Sequence, residues 1–126
     1  MEKIALTACS NGLEARKKPT VDALCAYLTD LGLTPVLSSC LYEKDPIHTS
    51  VFSGTAEERA EALMDFYRDP EVKAIFDLSG GDIANEILPW LNFETIAESK
   101  AVFWGYSDLT TILNAIYVKT GKTSVL

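Results

Sequence analysis

Cationic side chains are scarce in this chain: 11 Lys and Arg stand against 18 Asp and Glu, for a net charge of −7. A protein that holds a phosphate backbone needs a basic surface, so nucleic acid is not an expected partner. Arg16-Lys17-Lys18 is a short basic run that reads as a solvated helix start. Cysteine is equally sparse, and Cys9, Cys25 and Cys40 make neither a CxxC pair nor a metal-ligand spacing. No metal and no cofactor are therefore expected. An odd cysteine count without a signal peptide fits a reducing, cytoplasmic setting, where buried thiols act as small hydrophobes. Met1 to Leu6 is too short an apolar run for a leader or a membrane span. Repeats, linkers and low-complexity segments are also missing, and 126 residues are enough for one domain with a real core.

What is present is an alternation of strand and helix patterns. Ile4 to Ala8 is a short apolar run that ends in the turn-rich Cys9-Ser10-Asn11-Gly12. Val21, Leu24, Cys25, Leu28 and Leu31 recur at helical spacing, with Pro19 and Thr20 at the start and Gly32 where a C-terminal cap belongs. Leu33 to Leu37 reads as a second strand, and Pro35 assigns it to an edge. Ser38 to Gly54 has no periodicity and contains the single histidine, His48, which reads as a surface residue.

Thr55-Ala56-Glu57-Glu58 matches a capping box for a helix that stops near Asp69-Pro70. Val72 to Leu78 is almost continuously apolar, as in a parallel strand covered on both faces. Ile83, Ile87 and Leu88 then start a short helix ended by Pro89, and Asn92 to Ile96 adds a turn. Ala101 to Trp104 is a fourth strand. Leu109, Ile112, Leu113, Ile116 and Tyr117 stripe a last helix that Gly121 stops, and Thr123 to Leu126 begins another strand. This order calls for an α/β fold: a flavodoxin-like parallel sheet flanked by helices, with ligands at the carboxyl ends of the strands.

Three loops converge on that edge: Cys9 to Gly12, Ser79 to Asn85, and Gly105 to Asp108. The second is the most informative. An apolar strand, a glycine pair and a helix start form the turn that in many hydrolases carries a nucleophile, an elbow after the third strand. Gly80 and Gly81 allow the sharp turn and bring backbone N–H groups close to a ligand. Ala84 stands where the nucleophile is expected and has nothing to attack with. Asp82 reads as a helix cap, Glu86 as a structural first-turn acid, and Ser79 as a turn hydroxyl bonded to backbone. Ser107 and Asp108 fit the N-cap of the last helix, Tyr106 is open to a packing or a substrate-facing role, and Cys9 reads as core.

Ser53-Gly54-Thr55-Ala56-Glu57-Glu58-Arg59-Ala60 and Asp69-Pro70-Glu71-Val72-Lys73-Ala74-Ile75 resemble the LD-carboxypeptidase and microcin-immunity family of serine peptidases. So do Gly80-Gly81 with Leu88-Pro89-Trp90-Leu91, and Trp104-Gly105-Tyr106-Ser107-Asp108-Leu109-Thr110 followed by Ile116-Tyr117 and Lys119-Thr120-Gly121. The likeness is good over residues 53–126 and holds only in outline over 1–52.

The resemblance implies an enzyme class that cleaves the amide bond before a terminal D-amino acid in cytoplasmic murein peptides, or inactivates peptide-nucleotide antibiotics. Its members use Ser, His and Glu, the last two from a C-terminal domain. Residues 1–126 are then expected to be the N-terminal domain, with the C-terminal domain absent from this chain. Ala84 falls at the nucleophile position, so no peptidase activity is expected. Backbone N–H groups near Gly81 or Asp82 and at Asn85 are the expected remnant of an oxyanion hole.

Three accounts of Ala84 stay open: an engineered Ser→Ala change, a natural non-catalytic binder of D-amino-acid peptides, or a register placed differently. The expected partners are a small peptide and, through an apolar patch left open beside the sheet, a second copy in a homodimer; no membrane is expected. The rival reading is a small α/β binding module that takes an anion at the Gly80-Gly81 turn.

Overall fold

The computed structural model describes residues 2–44 and 51–126. His48 and its neighbours 45–50 lie outside the described residues. One four-stranded parallel sheet runs in the order β2-β1-β3-β4, from β1 Lys3–Thr7, β2 Thr34–Leu37, β3 Val72–Asp77 and β4 Val102–Trp104. Helix α1 (Lys18–Asp30) joins β1 to β2, α2 (Ala56–Arg68) leads into β3, and α3 (Phe93–Glu98) precedes β4. Helix α4 (Thr110–Thr120) follows β4. The order matches the first four strands of flavodoxin-like sheets, and β2 is an edge strand, the place where Pro35 can lack an N–H without breaking a ladder. No described helix is long and apolar enough to cross a membrane.

Alternation along each strand divides the core in two. Ala5, Ile75 and Phe103 face the larger half, which packs against Leu63, Met64 and Tyr67 of α2, Ile96 of α3, and Ile112 and Ile116 of α4. Ile4, Leu6, Ala74 and Phe76 point the other way, toward Leu24 and Leu28 of α1. That second face is only partly covered. Phe76 meets Trp104 edge to face at 5.4 Å, and Trp104 is 42% exposed. Phe76, Leu78, Trp104, Tyr106 and Leu126 line a shallow apolar surface beside β3 and β4. The expectation of a third strand covered on both faces therefore holds only on one side, and the open apolar patch is where the pattern of the sheet leaves it.

The helix ends follow the sequence closely. Thr55 and Glu58 make both bonds of the capping box, at 3.1 and 3.0 Å. Asn92 Oδ1 accepts the Glu94 and Thr95 N–H groups at the start of α3. The end of α3 is closed from a distance by Lys122, whose Nζ donates to the carbonyls of Ile96, Ser99 and Ala101.

Two expectations need correction. The helix after the glycine pair is a 3-10 segment, Ala84–Trp90, that contains Pro89 instead of ending before it. The last strand is limited among the described residues to one parallel bridge, Trp104 with Val125.

Candidate functional site: a cradled strand-turn-helix elbow

Strands β1 and β3 are neighbours in the sheet although a strand and two helices separate them in sequence, and the chain diverges to opposite sides beyond them. Their carboxyl ends therefore flank the crevice where open parallel sheets bind ligands. The loop leaving β1 wraps the elbow leaving β3 residue by residue. Cys9 N–H donates to Asp77 Oδ2 at 2.7 Å. Ser10 Oγ accepts from the Ile83 N–H at 3.2 Å and donates to Asp108 Oδ2 at 2.6 Å. Asn11 donates its N–H to the Gly80 carbonyl at 3.2 Å, and its Oδ1 takes a long bond from the Asp82 N–H, 3.4 Å.

From the other side, Asp108 Oδ2 also accepts the Ala84 N–H at 3.0 Å. All three predicted loops thus meet at one turn.

The glycine pair is required by this packing. Gly81 has φ +144°, which L side chains rarely adopt, and a Cβ there would run into the side-chain amide of Asn11. A Cβ on Gly80 would come within 2.7 Å of Ser107 Cβ. Between them the glycines let the loops after β1 and β4 close on the elbow from both sides.

Arg59 locks the assembly from beneath and is 1% exposed. Its Nε donates to the Cys9 carbonyl at 3.0 Å, one terminal nitrogen to Gly54 O at 2.9 Å, and the other to Ile83 O at 3.1 Å and Glu86 Oε1 at 2.8 Å. A buried cation is tolerable only when its donors are satisfied, and a planar fork can reach in three directions where an ammonium cannot. Phe52 lies against the guanidinium, 5.7 Å from ring centroid to carbon. Glu86 is accordingly a structural acid, as expected, though its partner is Arg59.

The predicted site residues come together with two changes of role. Asp82 is exposed and does not cap the 3-10 segment, whose N-cap residue is Ile83 without a side-chain cap of its own. Asp108 is not the cap of its own helix either. Ser107 sits at φ +57°, and this left-handed turn accompanies an Asp108 carboxylate that caps Ala84 across the cleft. Ser79 Oγ donates to the Gly80 carbonyl at 3.0 Å, the expected turn hydroxyl. Ala84 is fully buried in the main core, whereas Asn85 is exposed on the first turn of the 3-10 segment. Tyr106 is 54% exposed and stands over Gly80. Ser10, Asn11, Arg59 and Asp77 carry much of the construction, and the sequence does not single them out. Their one signal is position: two stand in the first convergent loop, one ends the third strand, and one follows the capping box.

Electrostatics add to the geometry. Burial pushes the Asp77 carboxyl up to about 7 against the opposing pull of the Cys9 and Ser79 N–H groups, and nearby Asp108 adds to the rise. Burial also raises the Cys9 thiol well above its ordinary range, so it is protonated and inert, as a core cysteine should be. A groove of about 340 Å³ runs from the glycine pair along α1, lined by Leu13, Lys17, Val21, Leu24, Gly80 and Tyr106. Among the described residues no group of three or more His, Cys, Asp or Glu is placed to hold a metal ion.

Fold and site together define an α/β protein of the strand-turn-helix elbow class, with the elbow at the carboxyl edge of a parallel sheet. Residues 4–126 match the LD-carboxypeptidase N-terminal domain, so the chain belongs to that family. It is 33% identical over 101 residues to the probable murein peptide carboxypeptidase of Bacillus subtilis, covering 80% of this chain and 30% of that protein. It is 39% identical over 69 residues to the microcin C7 self-immunity protein of Escherichia coli, covering 55% of this chain and 20% of that one. The structure of that immunity protein in complex with aspartyl sulfamoyl adenosine superimposes with a TM-score of 0.85 at 28% identity, over 95% of this chain and 35% of the other. The chain thus spans between a fifth and about a third of the length of these relatives.

Proposed function

We propose that this chain provides the elbow-bearing half of an LD-carboxypeptidase-type cleft and binds a small peptide ending in a D-amino acid without cleaving it. The observation that carries the reading is the cradle, in which three consecutive residues, Cys9, Ser10 and Asn11, each tie the loop after β1 to the elbow after β3. Such preorganisation holds backbone N–H groups in place before a ligand arrives, which is what binding or oxyanion stabilisation demands. The N–H groups of Asn85 and Gly81 are the donors for the peptide carbonyl, the Asp82 N–H being turned to Asn11 Oδ1, and Tyr106 forms one wall. Ala84 occupies the nucleophile position; a methyl group forms no acyl-enzyme, so the bond before the terminal residue stays intact.

The relatives support the substrate class, since one is named for murein peptides and another for immunity to a microcin. The test is a ¹⁵N-NMR titration with a murein tetrapeptide ending in D-alanine, beside inorganic phosphate. Shifts at Gly80, Gly81, Asn85 and Tyr106 caused by the peptide and not by phosphate are expected. Shifts with phosphate alone, weakening with salt, would favour the anion-binding module instead.

A further inference from the structure

We propose that the groove between α1 and the elbow is a side-chain subsite that selects a linear aliphatic chain ending in a carboxylate, with Lys17 as the residue that reads the charge. The inference rests on the elbow being the peptide site and adds which side chain of the peptide is preferred beside it. The groove has a volume of about 340 Å³, at the small end for a ligand site and suited to one side chain rather than a whole peptide. Ser79 and Gly80 form part of its wall, and Tyr106 stands over Gly80. A ligand lying on the elbow therefore has the groove next to it.

The lining divides by chemistry. Leu13, Val21, Leu24 and Leu78 supply an apolar floor, in which Val21 and Leu24 belong to the face of α1 that packs on the sheet. Among the described residues that line the groove, Lys17 is the one charged group, and no carboxylate shares the space with it. Helix α1 runs back from the carboxyl end of β1 to the start of parallel β2, so its first turn lies at the same edge of the sheet as the elbow. Thr20, three residues on from Lys17, adds a hydroxyl to that end.

Lys17 is free for this task. Among the described residues no hydrogen bond or ion pair holds its ammonium, and Glu14, whose charge it feels, is already bound by Arg16 at 2.7 Å. Helix stability gives no reason for a lysine there. The amino end of a helix carries partial positive charge and favours acids, yet the first turn of α1 has no acid and no side-chain cap. A cation placed against that preference, beside an apolar groove in a chain of net charge −7, is explained by an anion that it meets. Its exposure makes the pairing a matter of a few-fold in affinity, screened by salt.

The test is made on this chain with hexanoate, hexanamide and hexylammonium, followed by NMR of the Leu13, Val21, Leu24 and Leu78 methyl groups. Hexanoate is expected to shift these methyls and to bind about threefold tighter than hexanamide, with hexylammonium weakest. The net charge of the chain attracts the amine instead, so a preference for the carboxylate isolates the local cation. Lys17→Gln should bring hexanoate and hexanamide to within about 1.5-fold, and Lys17→Glu should reverse the order of hexanoate and hexylammonium. Both variants should keep Tm within about 2 °C, since the side chain has no partner to lose. Equal binding of the three probes, shifts confined to methyls outside the groove, or a preference that survives Lys17→Gln overturns the proposal.

A second arm compares acetyl-2-aminopimelyl-D-alanine with acetyl-norleucyl-D-alanine. Tighter binding of the first, lost in Lys17→Gln, is the expected result. Equal binding of both overturns the subsite and leaves the elbow reading intact. If hexanoate binds and neither peptide does, the elbow reading falls and the groove stands as a site for free aliphatic carboxylates.

Discussion

Replacing Arg59 with methionine removes the one side chain that touches both loops of the cradle and the start of α2. Four acceptors lose a donor: the carbonyls of Cys9, Gly54 and Ile83, and the Glu86 carboxylate, although Ile83 O keeps the Glu86 N–H at 3.2 Å. The Cys9 and Gly54 carbonyls each cost about 1 kcal/mol, toward the low end for an unsatisfied buried group, and Ile83 O adds little. Glu86 is 42% exposed, so water replaces most of what it loses and it adds little. Relief of burying the guanidinium works in the other direction but is incomplete, because methionine does not reach the three carbonyls. The sum is a loss of about 2 kcal/mol, a little below the range for breaking a fully buried charged network.

With a urea m-value of about 2 kcal/mol/M, that corresponds to a midpoint lowered by about 1 M. Hydrogen exchange at the Ile83 and Ala84 amides should quicken by more than at β1 amides, since the elbow loses its floor while the sheet does not. Arg59→Lys should recover little, because one ammonium cannot reach in three directions. A midpoint unchanged to within about 0.3 M, with elbow exchange unaltered, would refute the claim that Arg59 holds the cradle.

The remaining predictions concern the turn, the buried acid and a cap. Gly81→Ala should cost about 3 kcal/mol from backbone strain and collision with Asn11, whereas Gly32→Ala, at φ +83° but in open space, should cost about 1 kcal/mol; urea melts compare them. Asp77 holds its proton in the folded protein up to about pH 7, well past the range in which the unfolded chain releases it. Its contribution to stability is therefore fully present below about pH 4, is lost as pH rises toward 7, and is flat above. A ¹³C titration should place its midpoint near 7; a midpoint near 4 would mean that the carboxyl is ionised and satisfied throughout. Asp69 and Glu58, held low by Lys3 and by the Thr55 cap, oppose this trend as pH falls through about 4. Thr55→Ala should cost about 1 kcal/mol of stability by thermal melting and return the Glu58 carboxyl only part of the way toward its ordinary range, because the Thr55 N–H that it accepts from remains.

The elements written in short-range chemistry are legible from the chain itself. Period-2 and period-3.6 apolar patterns place the strands and helices, Pro35 marks the edge, the Thr55-Glu58 box starts α2, and the glycine pair announces the turn. What the sequence conceals is contact between distant residues. Ser10 and Asp108 lie 98 positions apart and Cys9 and Asp77 lie 68 apart, yet each pair is joined by one hydrogen bond at the site. Asp108 illustrates the difficulty. Serine and aspartate ahead of an apolar stripe satisfy the rule for a local cap, and only the backbone turn at Ser107 and the nearness of Ala84 decide otherwise. Arg59 is hidden for the same reason, since an arginine one turn into an amphipathic helix normally faces solvent.

Binding without cleavage is decided by one assay: the murein tetrapeptide ending in D-alanine is incubated with this chain, and bound peptide and free D-alanine are measured in the same sample. Retention of intact peptide with no D-alanine released is the predicted result. Release of D-alanine would show that a group other than residue 84 does the chemistry, and failure to retain the peptide would show that the cradled elbow is a feature of the fold and not a binding site.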